Sequence, residues 1–166
     1  MQLTLAQKQA LKADIIAASD PACVALEASP TNSDFAFAVK DLYNLAASPD
    51  HWVFRSVVSL VEIGNAIVAT ELAGLTSLNI DRLAVIAVYA PSGINPSMAD
   101  RRAAFDDIFS GAGGTNTRAA LAVLWRRKAT RVEKLLATGT GSTGSPATMG
   151  AEGPLSFQDV LDVMAS

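Results

Sequence analysis

One stretch of the chain, ATGTGSTGSPATMGAEGPLS at positions 137–156, contains the glycine spacing of a dinucleotide-binding loop. Positions 139–144 spell G-x-G-x-x-G. In such a loop the glycines let the backbone approach a pyrophosphate, which lies at the N-terminus of the helix that follows. That chemistry needs a strand before the glycines and a helix after them. Here a basic segment precedes them and a Ser-Pro pair follows. We therefore predict a strand-forming arm, with no nucleotide and no other cofactor.

The remaining reactive side chains form no recognisable catalytic or metal-binding set. The segment GAGGTNTR at 111–118 precedes a helix whose first N–H groups could hold an anion, but no strand leads into it. His51 and Cys23 are the only histidine and the only cysteine. The aspartates within 100–107 fit a solvated helix face better than an acid–base pair. We predict no catalytic residue, no metal site and no enzymatic activity.

Basic residues are concentrated in one part of the chain. Positions 111–137 carry six basic and one acidic side chain, positions 1–110 carry seven and twelve, and positions 138–166 carry none and three. This layout suits head-to-tail contacts between copies or docking on a charged partner, although neutralisation within the fold would explain it equally well. The run WRRKATR at 125–131 could contact nucleic acid, a protein partner or only solvent, and the acidic character of the whole chain disfavours nucleic acid.

Helix-start signals are frequent along the sequence. Capping boxes are predicted where a Ser or Thr is followed three residues later by a side chain that can bond back to the first backbone N–H. An aspartate before a proline predicts a further helix start. The predicted starts are Thr4 with Gln7, Asp20 with Pro21, Ser59 with Glu62, and Ser156 with Asp159.

Other patterns complete a mainly helical prediction. Apolar helices are expected from about Asp34 and Ser77, an Asn-Pro pair at 95–96 predicts another helix start, and 51–58 is the one β-like run in the first half. From about Thr117 one long helix is expected to reach Leu136. It would place Arg127, Arg131 and Lys134 on one face at i, i+4 and i+7. Lys128 would fall within the apolar face, which predicts either a kink or an intersubunit role there.

The composition favours one folded, non-membrane protein. The chain has 166 residues, half of them apolar, and lacks a run of the roughly 20 apolar residues that spans a bilayer. We expect a mainly α fold, a helical bundle with a C-terminal β-hairpin or extended arm. Positions 1–136 would form the helical body, 137–155 the arm, and 156–166 a C-terminal helix packed on the body or on a neighbour. No secretion signal is recognised, so a reducing cytoplasm is the expected place of synthesis.

Positions 95–160 carry a family resemblance. The segments DDIFSGAGGTNTRAAL, KATRVEK, SPATM and EGPLSFQDV, together with TNSDFAFAVKDLYNLAASP earlier in the chain, resemble small proteins from the structural-gene modules of tailed bacteriophages and prophages. The layout is similar to that of head-to-tail connector, or adaptor, proteins. The resemblance implies a structural virion protein of the neck, assembled in the host bacterial cytoplasm as a homo-oligomeric ring on the portal. Another tail or capsid accessory protein, or a DNA-contacting packaging protein, remains the alternative.

Within that setting, the arm and the basic helix are the expected partner-binding surfaces. A strand-forming arm can add hydrogen bonds to the edge of a neighbouring sheet, and its glycines should keep it mobile until assembly. The expected partners are neighbouring copies, the portal and other neck or tail proteins, and proximity to DNA is a further expectation. The predicted contact residues are Arg126, Arg127, Arg131, Lys134, Thr138, Thr140, Ser142, Thr148 and Met149.

Overall fold

The computed structural model describes residues 1–166 and is mainly helical. It contains ten α-helices, one short 3₁₀ helix (Ala112–Gly114) and two short strands that pair as an antiparallel sheet. The expected mainly α class with a small β element is confirmed. None of the helices combines the length and apolar content needed to cross a bilayer. The elements are α1 Leu5–Ala17, α2 Pro21–Ala28, α3 Ser33–Asn44, β1 Trp52–Phe54, α4 Leu60–Ala66, α5 Ala69–Ala73, α6 Ser77–Tyr89, α7 Ala99–Ile108, α8 Thr115–Leu124, β2 Arg126–Lys128, α9 Arg131–Leu136 and α10 Phe157–Met164.

Side-chain caps explain where many of these short helices begin. The three predicted capping boxes are present at α1, α4 and α10, and Asp20 caps α2 just before Pro21. A fourth box, in which Thr130 pairs with Glu133, starts α9. The Asn-Pro pair at 95–96 does not cap a helix. The Asn95 side chain instead accepts from the Ser97 amide in a turn, and α7 begins at Ala99.

The chain divides into two compact units that differ from the predicted body and arm. Unit 1 contains Met1–Val53 and Lys128–Ser166, and unit 2 contains Phe54–Arg127. The chain leaves unit 1 within β1 and returns to it within β2. The segment 137–155 therefore belongs to the same unit as the N-terminal helices, and 54–127 forms a unit that the sequence did not separate.

Unit 1 is built around α3. Helix α10 packs against α3 and α1, while α2 and α9 also contact both of these helices. Helix α10 is amphipathic and buries Val160, Val163 and Met164. The core of this unit consists of Leu11, Ile15, Cys23, Leu26, Ala36, Val39, Tyr43, Val132, Leu136, Leu155, Val160, Val163 and Met164.

Unit 2 has its own apolar core beneath α4, α7 and α8. The Phe105 and Trp125 rings meet edge to face with centroids 5.5 Å apart. Backbone bonds join Val58 and Ile94 in both directions, each with an N–O distance of 2.8 Å. The core residues are Val58, Ile63, Ile94, Phe105, Ile108, Phe109, Leu121 and Trp125.

The prediction of one long helix from Thr117 to Leu136 is wrong. Helix α8 ends at Leu124, a strand occupies 126–128, and α9 starts at Arg131. A continuous helix would need the backbone groups near 129–131 for its own bonds. In unit 1 the Ala129 amide instead donates to the His51 carbonyl at 2.8 Å, and the Arg131 amide donates to the Leu45 carbonyl at 2.9 Å. The i, i+4, i+7 basic face therefore does not exist.

In unit 2, α5 and α8 cap each other. The buried carboxylate of Glu71 accepts from the amides of Asn116 and Thr117 at 3.0 and 2.7 Å. In return the Thr117 hydroxyl accepts from the Val68 amide at 3.0 Å, at the start of α5. Helix α8 has no side-chain cap of its own, so a distant carboxylate satisfies its first N–H groups.

Replacing Glu71 by Gln should lower stability in a pH-dependent way. Hydrogen bonding by Thr117, and by the Asn116 amide, outweighs burial and holds the pKa of Glu71 below its usual value of 4.5. A lowered folded pKa contributes stability that is present above the unfolded pKa and lost as pH falls through the folded pKa. The Tm difference between wild type and Glu71→Gln should be largest above about pH 5 and should narrow as the pH falls through the lowered pKa of folded Glu71. Glu27→Gln, at an exposed position of α2, is the control. A Tm difference that does not vary with pH would contradict a stabilising role for the negative charge of Glu71.

Candidate partner-binding site

A groove in unit 1 brings together two of the predicted contact residues. Arg131 and Lys134, both on α9, line a cavity of about 470 Å³ beside the C-terminal end of α3. Apolar side chains form much of its wall, and Asp14 contributes the one carboxylate. The lining residues are Asp14, Leu42, Leu45, Ala46, Ala47, Ser48, Arg131, Lys134 and Leu135.

Arg131 is held in this groove by a tyrosine and an aspartate. Its guanidinium lies over the Tyr43 ring at 4.3 Å and reaches the Asp14 carboxylate at 3.4 Å. The Tyr43 hydroxyl donates to the same carboxylate at 2.5 Å. Burial, followed by the bond to Asp14, raises the pKa of Tyr43 well above its usual range. Tyr43 therefore stays a neutral hydrogen-bond donor, and the charge of Arg131 is partly satisfied within the fold.

Lys134 is the cation of the groove that has no carboxylate partner. Its ammonium group lies 3.3 and 3.4 Å from the carbonyl oxygens of Ser48 and Pro49, both at exposed positions. The side chains lining the groove carry two positive charges and one negative charge. Such a groove can accept a carboxylate flanked by apolar groups, as an acidic peptide segment presents.

The other two predicted arginines do not join this groove. Arg126 and Arg127 belong to β2, in the part of the strand assigned to unit 2, and both side chains are half-buried. Their placement follows from the early end of α8, since only a continuous helix would align them with Arg131 and Lys134. The sequence also gave no signal for Tyr43 and Asp14, which come from separate helices.

The segment 137–155 folds as an irregular hairpin. Thr138 and Thr148 exchange backbone bonds of 2.8 and 2.9 Å, and Ser142 and Ser145 pair near its tip. The expectation of an arm separate from the helical body is wrong. The Trp52 amide donates to the Gly141 carbonyl at 2.7 Å, and the Ala147 amide donates to the Trp52 carbonyl at 2.8 Å. The edge of β1 therefore already has a partner, which is this chain's own hairpin.

Further bonds fix the remainder of the segment to unit 1. The Gln7 side chain donates to the Gly150 carbonyl at 2.8 Å. The buried carboxylate of Glu133, which also caps α9, accepts from the Gly153 amide at 3.3 Å. Asn44 bonds the Leu155 backbone in both directions at 2.9 and 3.0 Å. These contacts span the segment, so its docked position does not depend on one bond.

The predicted contact residues of the segment divide by exposure. Thr138, Thr140, Ser142 and Thr148 are exposed. Met149 is half-buried and packs on the small apolar cluster of Val53, Ala129 and Ala147. The four hydroxyl side chains remain accessible to a partner, whereas Met149 belongs mainly to the packing of unit 1.

Neither glycine-rich loop has the form of a phosphate cradle. Gly141 is buried with φ at +66°, and the His51 imidazole lies against its Cα. No helix follows until α10 at Phe157. In the other loop, the Glu71 carboxylate occupies the amides of Asn116 and Thr117 that an anion would need. No group of three His, Cys, Asp or Glu side chains comes together to hold a metal.

His51 has a structural contact that the sequence did not reveal. Its Nε2 atom is buried without a hydrogen-bond partner, and burial, followed by the charge of Lys134, lowers its pKa. The imidazole is thus favoured in its neutral form. The hairpin packs against this ring at Gly141.

Replacing Gly141 by Ala tests whether the hairpin is docked. A Cβ there would overlap the His51 ring, and the positive φ disfavours any side chain. The expected loss is about 1–3 kcal/mol of unfolding free energy, seen as a lower Tm. Gly144→Ala is the matched control, since its Cβ would point into open space and should change stability by less than about 0.5 kcal/mol. Equal Tm values for the two variants would indicate a free arm.

Comparison of the chain with protein-family models, curated proteins and solved structures gave no match. A function must therefore be inferred from the residues and their geometry.

Proposed function

We propose that the chain is a structural subunit of a tailed-phage virion, most specifically a head-to-tail connector that docks on the portal. The role is one of assembly rather than catalysis. The observation that supports it best is helix α6 in unit 2, which has no buried residue although most of its side chains are apolar. The phage setting itself comes from the sequence resemblance of positions 95–160.

Five large apolar side chains of α6 are exposed to solvent. The exposed fractions are 60% for Leu78, 49% for Ile80, 54% for Val85, 71% for Val88 and 83% for Tyr89. Monomeric proteins rarely expose contiguous apolar patches of more than a few hundred Å², and larger ones mark interaction sites. A helix of this kind is expected in a protein that works as part of an assembly.

The groove of unit 1 supplies a second surface of different chemistry. Lys134 and the apolar side chains of Leu42 and Leu45 suit an acidic segment of another virion protein. The exposed threonines and serine of the hairpin add hydrogen-bonding groups in the same unit. A subunit with one apolar and one cationic surface can bind a copy of itself and a different partner at once.

DNA contact is a weaker explanation of the basic residues. Phosphate binding needs cations that are free to face the duplex. Arg131 is stacked on Tyr43 beside Asp14, and the ammonium of Lys128 lies 2.7 Å from the Asp50 carboxylate. We therefore propose that the basic segment 125–134 contacts protein and not DNA.

The variant Lys134→Glu tests the proposed role. It should leave the fold intact, with a cost of less than about 1 kcal/mol from the charge near the end of α9. It should abolish incorporation into particles purified from cells that produce the encoding phage, measured by immunoblot of the virions. Lys134 is preferred to Arg131, because Arg131→Glu would place two carboxylates together beside Tyr43.

Lys8→Glu on α1 is the matched control and should be incorporated normally. Absence of the wild-type chain from purified virions would overturn the proposed function. Normal incorporation of a folded Lys134→Glu protein would show that the unit 1 groove has no part in the proposed assembly role.

A further inference from the structure

A short ladder of extended backbone forms one side of the groove in unit 1. Residues 45–47 pair antiparallel with residues 129–131, and Ala46 lies opposite Thr130. The two backbone bonds of this pair, at 2.9 and 3.0 Å, are made by the residues on either side of Ala46. In a pair of this kind, the N–H and C=O groups of the middle residue point away from the opposite segment.

Ala46 therefore presents an unpaired backbone edge. The residue is exposed, it lines the groove, and its N–H and C=O groups make no hydrogen bond within the chain. The edge of β1 differs, because the Trp52 backbone there is already bonded to the hairpin. An unpaired edge can accept an extended segment of another protein by β-strand addition. We call this feature the Ala46 edge.

Apolar side chains accompany the Ala46 edge. The Leu45 side chain is 60% exposed, which is high for a leucine at the wall of a groove. Leu42 and Leu135, which also line the groove, are half-buried. An apolar side chain of a bound segment would remove part of this surface from water, which is favourable.

A cation lies at the end of the same edge. The Lys134 ammonium group contacts two backbone carbonyls just beyond the ladder, at 3.3 and 3.4 Å. Two carboxylates of unit 1 have other cationic partners: Asp14 lies 3.4 Å from Arg131, and Asp50 lies 2.7 Å from Lys128. The charge of Lys134 therefore complements a carboxylate that comes from outside the chain.

We infer that the groove of unit 1 binds an acidic peptide segment in extended conformation, which adds as a strand along the Ala46 edge and places a carboxylate on Lys134. Side chains two positions apart share one face of a strand and lie about 7 Å apart. The segment therefore carries an apolar residue, which packs on Leu45, and an Asp or Glu two positions away. The inference rests on the proposed assembly role for the source of the segment, a partner protein, and adds its conformation and sequence pattern.

The expected affinity follows from the size of the contact. A few residues of added strand bury far less than the roughly 1,200–2,000 Å² of a standard stable interface. We expect a dissociation constant of about 0.1–1 mM for an isolated peptide. The ion pair is exposed to solvent, so added salt should weaken binding.

The test is an NMR titration of the ¹⁵N-labelled full chain with a capped peptide of sequence Leu-Thr-Asp-Thr-Leu-Thr-Asp-Thr-Leu. This peptide contains the apolar and acidic residues at the required spacing in both directions, so it can add in parallel or antiparallel orientation. The Ala46 amide proton should move downfield as it gains a hydrogen bond. Amides of the groove should shift with it along one binding curve.

Matched variants test the charge. The peptide with Asn in place of both Asp residues should bind wild type about threefold to tenfold more weakly. Lys134→Gln should weaken binding of the Asp peptide by a similar factor and should bind the Asp and Asn peptides equally. Lys8→Gln on α1, outside the groove, is the control and should behave as wild type. Circular dichroism checks that both variants are folded.

Backbone methylation tests the strand. Alternate N–H groups of an extended peptide point to opposite sides, so only one alternate set can face the Ala46 edge. Two complementary peptides are compared, one methylated at the amides of Leu and Asp and the other at the amides of Thr. One of them should bind at least about fivefold more weakly than the other, because it cannot donate to the edge.

Any of three results would overturn the inference: no shift of the Ala46 amide at 5 to 10 times the expected dissociation constant, equal affinity of wild type for the Asp and Asn peptides, or equal affinity of the two methylated peptides. Virion incorporation is measured separately. A chain that enters particles but fails these tests would keep the proposed function and lose the strand addition, whereas a chain that binds the peptide but is absent from virions would do the reverse.

Discussion

Hydrogen bonds from backbone amides to side-chain oxygens at helix starts are the interaction on which this structure depends. Helices as short as α5 and α9 are not stable alone, because few of their backbone groups are paired within the helix. In unit 2 the Glu71 carboxylate supplies acceptors for the first amides of α8. In unit 1 the Glu133 carboxylate caps its own helix and also binds the Gly153 amide. Buried carboxylates thus fix both helix starts and the paths of distant segments.

The glycine-rich hairpin shows how one sequence pattern can serve a purpose other than the one that its spacing suggests. Position 141 requires glycine for two reasons. The His51 ring occupies the space that a Cβ would need, and the backbone at this position has a positive φ that favours glycine. Close approach of backbone to another group is the same property that a dinucleotide loop uses for phosphate. Here the group is a neutral imidazole of the same unit. The hairpin and β1 satisfy each other, which leaves this edge less suited to pair with a neighbouring sheet.

The surfaces that we propose for assembly therefore differ from those suggested by the basic residues. Arg131 is largely engaged with Tyr43 and Asp14, so Lys134 becomes the main cation of its groove. Helix α6 is the larger anomaly, because exposing an apolar helix to water has a free-energy cost that binding to a partner would relieve. An apolar surface in unit 2 and a cationic groove in unit 1 suit a subunit with more than one partner.

The sequence by itself determined the mainly helical class and the starts of α1, α2, α4 and α10. A capping box depends on two residues three positions apart, so local pattern is sufficient to find it. Tertiary structure decided where α8 ends, how the hairpin docks and which residues line the groove of unit 1. The bonds of the Tyr43 and Arg131 side chains to Asp14 join residues 29 and 117 positions apart. Pairing at such separations is set by the packing of whole helices, and no local pattern records it.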